Sequence, residues 1–167
     1  ETTASAQKSG AGVYVEGDAD TWVEFVNCRF EDCESAASTP SYAGGAAVYV
    51  KAGQARLKAC ELTGCSGASR GGALRCNNDK AILFLDKCSI HGNSVKYDWG
   101  SGLQLSSGTI CVNNSTFCAN SVGWQGSGGT VNGGGAMLVL NSTIISDDTT
   151  AGIRCESDTI SDRKSVV

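Results

Sequence analysis

Proline, histidine and methionine each occur once in these 167 residues, aromatic residues make up 7% and charged residues 18%. With one Pro (Pro40) against 22 Gly, the chain must take its turns largely from glycine, which reaches positive φ at no steric cost, and many short strands follow from that. Apolar residues recurring at helical spacing are absent throughout. No stretch approaches the ~18 consecutive apolar residues of a membrane span, so no transmembrane segment is expected. A lone His91 beside nine Cys, with Cys28/Cys33 and Cys60/Cys65 spaced CxxxxC, fits no ordinary zinc site, and no metal or cofactor is expected. The net charge is -4 and the bases are dispersed, which excludes the basic stripe that a nucleic-acid partner needs. The chain begins at Glu1 without a Met or a signal sequence, so it is expected to be a processed or excised piece of a longer protein.

What is there is a repeat. Five segments align without gaps: FVNCRFEDC from Phe25, LKACELTGC from Leu57, LDKCSIHGN from Leu85, VNNSTFCAN from Val112 and VLNSTIISD from Val139. Their fourth position reads Cys28, Cys60, Cys88, Ser115, Ser142, and their sixth reads Phe30, Leu62, Ile90, Phe117, Ile144. A small residue followed two places later by a large apolar one is a strand burying alternate side chains. Upstream lie a second alternation (Val23/Phe25 through Met137/Val139) and, in most copies, a Gly-rich start: GAGVYV, GGAAVYV, GGALRC and GSGLQL. Three short strands per 27 to 32 residues predict an all-β parallel solenoid of about five coils forming a single domain over 1–167. The coils run approximately 10–43, 44–70, 71–99, 100–126 and 127–150, with a sixth opening at 151. A β-sandwich is the alternative, but it has no reason to repeat one pattern at near-constant intervals.

The GGA-plus-aliphatic motifs at Gly44, Gly71 and Gly134, with Phe117-Cys118-Ala119-Asn120 and the near match Ile90-His91-Gly92-Asn93, resemble the polymorphic outer-membrane protein repeats known from chlamydial surface adhesins. Those repeats belong to the pectin-lyase-like superfamily. The resemblance covers about Gly10 to Cys155 and implies a right-handed parallel β-helix with an extracellular, adhesion-like role. Cys33 and Cys65 depart from the motif by replacing its Asn, and the motif at Gly134 sits off register with the other two.

In such a stack equivalent residues lie about 4.8 Å apart. Cys28, Cys60 and Cys88 then form one inward column, bridged or reduced, and a Cys33–Cys65 disulfide is the preferred single pairing because the Cα spacing suits one. Nine Cys point to an oxidising compartment, and the sequons at Asn113, Asn114 and Asn141 agree with secretion and glycosylation, with plain surface Asn as the alternative. Loops leaving one corner carry Tyr97, Asp98, Trp99, Trp124 and Gln125, which either stack on sugar rings or fold down over the core edge. Outward positions of the second strand hold Trp22, Ile82, Phe84, Cys111 and Leu138 where a solvated face should be polar, so something is expected to cover them: the tail from Glu156, a neighbouring domain or another subunit.

Catalysis requires convergent groups, and the acids are scattered: Asp18 with Asp20, Asp147 with Asp148, and Glu31 with Asp32 in a turn. His91 follows the inward Ile90 and shows no acid partner in the sequence. The expectation is a non-catalytic structural or adhesive segment at the cell surface or outside it, partnered by other subunits, further coils of the same chain or glycans. A carbohydrate-binding or polysaccharide-degrading module is the alternative. Ice binding is disfavoured because no regular T-x-T columns appear.

Overall fold

The computed structural model describes residues 10–35, 43–97, 99–123, 131–133, 135–144, 153–155 and 160–163; within strands at 131–133, 137–140, 153–155 and 160–163 the backbone alone is described. The first coil comprises β1 (Val13–Val15), β2 (Trp22–Val26), β3 (Arg29–Glu31) and β4 (Glu34–Ser35). The second repeats it as β5 (Val48–Val50), β6 (Gly53–Lys58), β7 (Glu61–Thr63) and β8 (Ser66–Gly67). In the third and fourth coils the first two strands fuse into one: β9 (Leu74–Asp86), β10 (Ser89–His91) and β11 (Ser94–Val95), then β12 (Leu103–Asn113), β13 (Thr116–Cys118) and β14 (Ser121–Val122). A fifth coil contributes β15 (Val131–Gly133), β16 (Ala136–Leu140) and β17 (Thr143–Ile144), and a sixth β18 (Ile153–Cys155) and β19 (Ile160–Arg163).

Every pairing is parallel and joins equivalent positions of successive coils, giving three sheets. The chain is therefore an all-β parallel solenoid. About four turns are complete among the described residues, one fewer than the repeat count, because the end of the fifth coil falls in 145–150. Sequence alternation missed the two-residue strands β4, β8, β11 and β14, which are too short to show a period.

The aligned large residues are one physical column: Phe30 pairs with Leu62, Leu62 with Ile90, Ile90 with Phe117 and Phe117 with Ile144. Leu62, Ile90 and Phe117 are wholly buried, as are Ala55, Leu83 and Ile110 and the pair Leu74 and Leu103 on the other walls. Each such Leu or Ile contributes about 1.5–3 kcal/mol by leaving water. Like residues stack because in-register parallel strands leave each side chain a slot set by the coil above and the coil below.

Three left-handed positions recur from coil to coil, one of them the glycine of the Gly-rich start (Gly10, Gly45, Gly71, Gly100), and the other two build the inward columns. Asn27, Ala59, Lys87, Asn114 and Asn141 occupy one, with φ between 46° and 56°. Asp32, Gly64, Gly92 and Ala119 occupy the other. Each left-handed residue turns the next one inward, which is what builds the Cys/Ser and Cys/Asn columns. The tail does not act as an outer cover where it is described: Ile160–Arg163 pairs with Met137–Leu140 and extends the stack.

Candidate functional site

The inward columns at the two turns form backbone-satisfying ladders. Asn93 is fully buried; its Oδ1 accepts the Cys65 N–H at 2.9 Å and its Nδ2 donates to Leu62 O at 2.9 Å. Asn120 repeats this one coil later, accepting the Asn93 N–H at 3.0 Å and donating to Ile90 O at 2.9 Å. Ser115 and Ser142 accept the amides of Cys88 and Ser115, each at 3.1 Å. The cysteines do the same work with sulfur. The Cys60 thiol donates to Phe25 O and the Cys88 thiol to Leu57 O, both at 3.3 Å, and the Cys65 thiol points at Phe30 O at 3.7 Å.

These cysteines are not bridged. All eight described cysteines, Cys33 and Cys65 among them, are free thiols, so the expected Cys33–Cys65 disulfide is not formed. In-register parallel strands hold Cβ atoms side by side at about the strand spacing of 4.8 Å, whereas a disulfide needs Cβ atoms about 3.5–4.5 Å apart. Cα spacing alone does not make a disulfide; its Cβ atoms must also converge. Burial pushes the Cys65 thiol up to about 12 and the Cys88 thiol up to about 11, and raises Cys76 and Cys111 as well. Buried neutral thiols of this kind behave as small apolar groups that donate weakly.

Of the aromatic corner, Tyr97 and Trp99 are half-buried, while Asp98, Trp124 and Gln125 lie outside the described residues. The Arg70 guanidinium sits 4.8 Å from the Trp99 ring centroid and the Lys96 ammonium 5.2 Å from that of Tyr97. A cation thus already occupies one face of each ring.

The sequons differ from one another in environment. Asn114 and Asn141 are exposed and left-handed, at equivalent positions of adjacent coils. Asn113 is half-buried, and its Nδ2 donates to Asp86 Oδ1 at 2.9 Å.

The outward face of the second-strand wall carries the apolar residues expected of a partner surface. Trp22 is 60% and Val26 47% exposed. Ile82, Phe84 and Cys111 are half-buried on the third and fourth coils of the same wall, and the side chain of Leu138 lies outside the described residues. Glu24, Arg56, Phe84 and Cys111 follow one another up one outward column. Arg56 lies over the Phe84 ring at 5.2 Å, which explains why Phe84 is not fully exposed. Glu24, Arg56, Leu57, Lys58, Phe84 and Asp86 line an open groove of about 290 Å³.

Sequence reasoning missed two features. His91 does have an acid partner: its Nε2 lies 2.9 Å from Glu61 Oε1 and its Nδ1 3.3 Å from Thr63 Oγ1, both one coil away. Arg29 reaches the same Glu61 at 3.2 Å. The His91 hydrogen bond, reinforced by the charge of Arg29, holds the Glu61 carboxyl below the usual range. The register would have revealed this, since Glu61 pairs with Ser89 and Thr63 with His91. Second, the outward column Tyr14, Tyr49, Arg75, Gln104 is buried from its second member on, with Arg75 only 1% exposed and its guanidinium 5.2 Å from the Tyr49 ring.

The wall-by-wall parallel register is the property that sorts this chain among known proteins, and a family model described as a right handed beta helix region matches residues 3–164. The chain belongs to the right-handed β-helix family. No curated protein and no solved structure matches it. Membership makes the three sheets of this β-helix walls around one continuous core and leaves function to whatever the outward columns present. Among the described residues, no His/Cys/Asp/Glu group is placed to hold a metal, and no helix is long and apolar enough to cross a membrane.

Proposed function

We propose that this β-helix is a non-catalytic structural and adhesive segment of a larger extracellular or cell-surface assembly. The observation that carries the reading is that the exposed Trp22 and Val26 share one wall with Phe84 and the charged groove of Glu24, Arg56, Lys58 and Asp86. Aromatic side chains flanked by both signs of charge are the composition of a protein-binding patch, in which a few anchors carry most of the energy. The resemblance of the GGA and FxxN motifs to polymorphic outer-membrane protein repeats supports an adhesive role. The test offers chain-coated beads to intact cells. Trp22→Ala/Phe84→Ala is expected to lower attachment about tenfold or more, the loss of an anchor worth ~1.4–2 kcal/mol. Equal attachment by a variant that melts at the parent's temperature contradicts the reading.

Carbohydrate binding or polysaccharide degradation is the second reading, favoured by Tyr97 and Trp99 sharing one half-exposed corner. Calorimetry against a glycan panel and a reducing-sugar assay, repeated with Trp99→Ala, decide it; heat and sugar release unchanged by the substitution remove the corner from consideration.

A further inference from the structure

We propose that the outward face of the second-strand wall is a self-association surface, on which a second copy of this chain docks face to face about a two-fold axis lying between the second and third coils. This rests on the adhesive reading of the patch, and it names the occupant as the chain itself.

Spacing selects the class of partner. The wall presents rows of three outward residues, one row per coil: Trp22/Glu24/Val26, Gln54/Arg56/Lys58, Ile82/Phe84/Asp86 and Thr109/Cys111/Asn113. The rows follow one another at the strand spacing of about 4.8 Å. Side chains on one face of a helix recur at about 5.4 Å and those on one face of a strand at about 6.6 Å, so either falls out of step along the rows. Another wall of the same repeat stays in step at every one.

Charge selects the copy and its placement. A two-fold axis parallel to the strands turns the stack over, so it exchanges rows and keeps each column on itself. With the axis between the second and third coils, Lys58 faces Asp86 of the second copy, Arg56 faces its Phe84 and Gln54 its Ile82, and every contact is made twice. The outer rows exchange as well, setting Trp22, Glu24 and Val26 on Thr109, Cys111 and Asn113 and so covering the exposed Trp22 and Val26. Lys58 is exposed, and neither it nor Asp86 has an opposite charge within ion-pair distance in its own chain among the described residues. Both are therefore open to pairing across the two-fold.

Other placements fail on charge. An axis along the stack sets Arg56 on Arg56 and Asp86 on Ile82. An axis through the second coil sets Lys58 on Lys58, one through the third sets Asp86 on Asp86, and one between the first and second leaves Lys58 on Val26. The four rows cover an area of about 19 Å by 17 Å, well below the ~800 Å² that each partner buries in a stable complex. The contact is accordingly weak between two free chains and gains strength where many copies are displayed together.

The experiment compares the parent chain, Lys58→Asp, Asp86→Lys and an equimolar mixture of the two variants, by sedimentation equilibrium up to about 1 mM and by clustering of chain-coated beads. The parent is expected to associate. Each variant alone sets like charges against each other twice across the two-fold and should associate about tenfold or more weakly. In the mixture one chain carries acids at both positions and the other carries bases at both, so every facing pair is opposite in sign and association should return to the parent's level. Mixing does not repair a folding defect, so recovery reads the contact itself. A parent that stays monomeric with its beads dispersed, variants that associate as the parent does, or a mixture that fails to recover while both variants melt at the parent's temperature overturns the proposal. Where a charge reversal lowers the melting temperature, Lys58→Gln and Asp86→Asn remove the pairs without repulsion and should weaken association about threefold; equality with the parent overturns it. If attachment to cells through Trp22 and Phe84 persists in that event, the second copy is the wrong occupant; if attachment is absent as well, the adhesive reading falls with it.

Discussion

Replacing Asn93 by alanine removes a side chain that serves three neighbours from a fully buried position. The Cys65 N–H loses its acceptor at 2.9 Å, Leu62 O loses a donor at 2.9 Å, and Asn120 Oδ1 loses one of two donors. Two backbone groups are left unsatisfied in the core at about 1–3 kcal/mol each, and a small void adds to this, so the loss should be about 3–5 kcal/mol. For a chain of this length that corresponds to a melting temperature lower by roughly 6–20 °C. Asn93→Cys copies what the chain itself does at position 65, where sulfur accepts the Cys33 amide. It should therefore recover part of the loss. Asn93→Asp keeps the acceptor but buries a carboxylate beside Leu62 O and Asn120 Oδ1, and should be worse than alanine. Urea titration followed by circular dichroism measures all three. A loss under ~1 kcal/mol for Asn93→Ala, or aspartate outperforming cysteine, refutes the ladder as a source of stability.

Alkylation of the native chain at pH 8, read by peptide mass, should leave Cys65, Cys76 and Cys88 unmodified while half-exposed Cys118 reacts; labelling of Cys76 as fast as Cys118 would show that the core is not closed. Glu61 titrates below the ordinary carboxylate range, so its contribution to stability is present above the unfolded value near 4.5 and is lost as pH falls through the folded one. Carboxyl NMR should find its midpoint higher in His91→Ala, and an unmoved midpoint removes His91 as the cause. A Cβ at Gly72 would fall on the carbonyl oxygens of Ser101 and Ser94, so Gly72→Ala should cost about 3 kcal/mol or more, and a normal melt would contradict the close approach of these coils.

The fold was legible because a solenoid writes its register into the sequence: Phe30, Leu62, Ile90, Phe117 and Ile144 align on paper at the spacing at which they stack. The surface was less legible for the same reason in reverse. Outward columns need no like-on-like pattern, so Glu61 and His91, or Arg56 and Phe84, show no kinship until register brings them together. The thiol columns show a limit of another kind: position along the chain gives Cα proximity, while bond formation depends on the direction of Cβ. Burial of Tyr49, Arg75 and Gln104 on an outward column escaped alternation altogether, because alternation assigns a side of the sheet and not what lies over it.

In-register parallel stacking underlies every statement about the core and the ladders. Backbone NMR on the labelled chain tests it through the contacts of Ile90 with its two neighbouring coils. The account predicts Hα-to-amide cross-peaks linking Ile90 to the Leu62 segment on one side and to the Phe117 segment on the other, in parallel geometry. Strong Hα–Hα cross-peaks between sequence-adjacent strands, the mark of antiparallel hairpins, would contradict it.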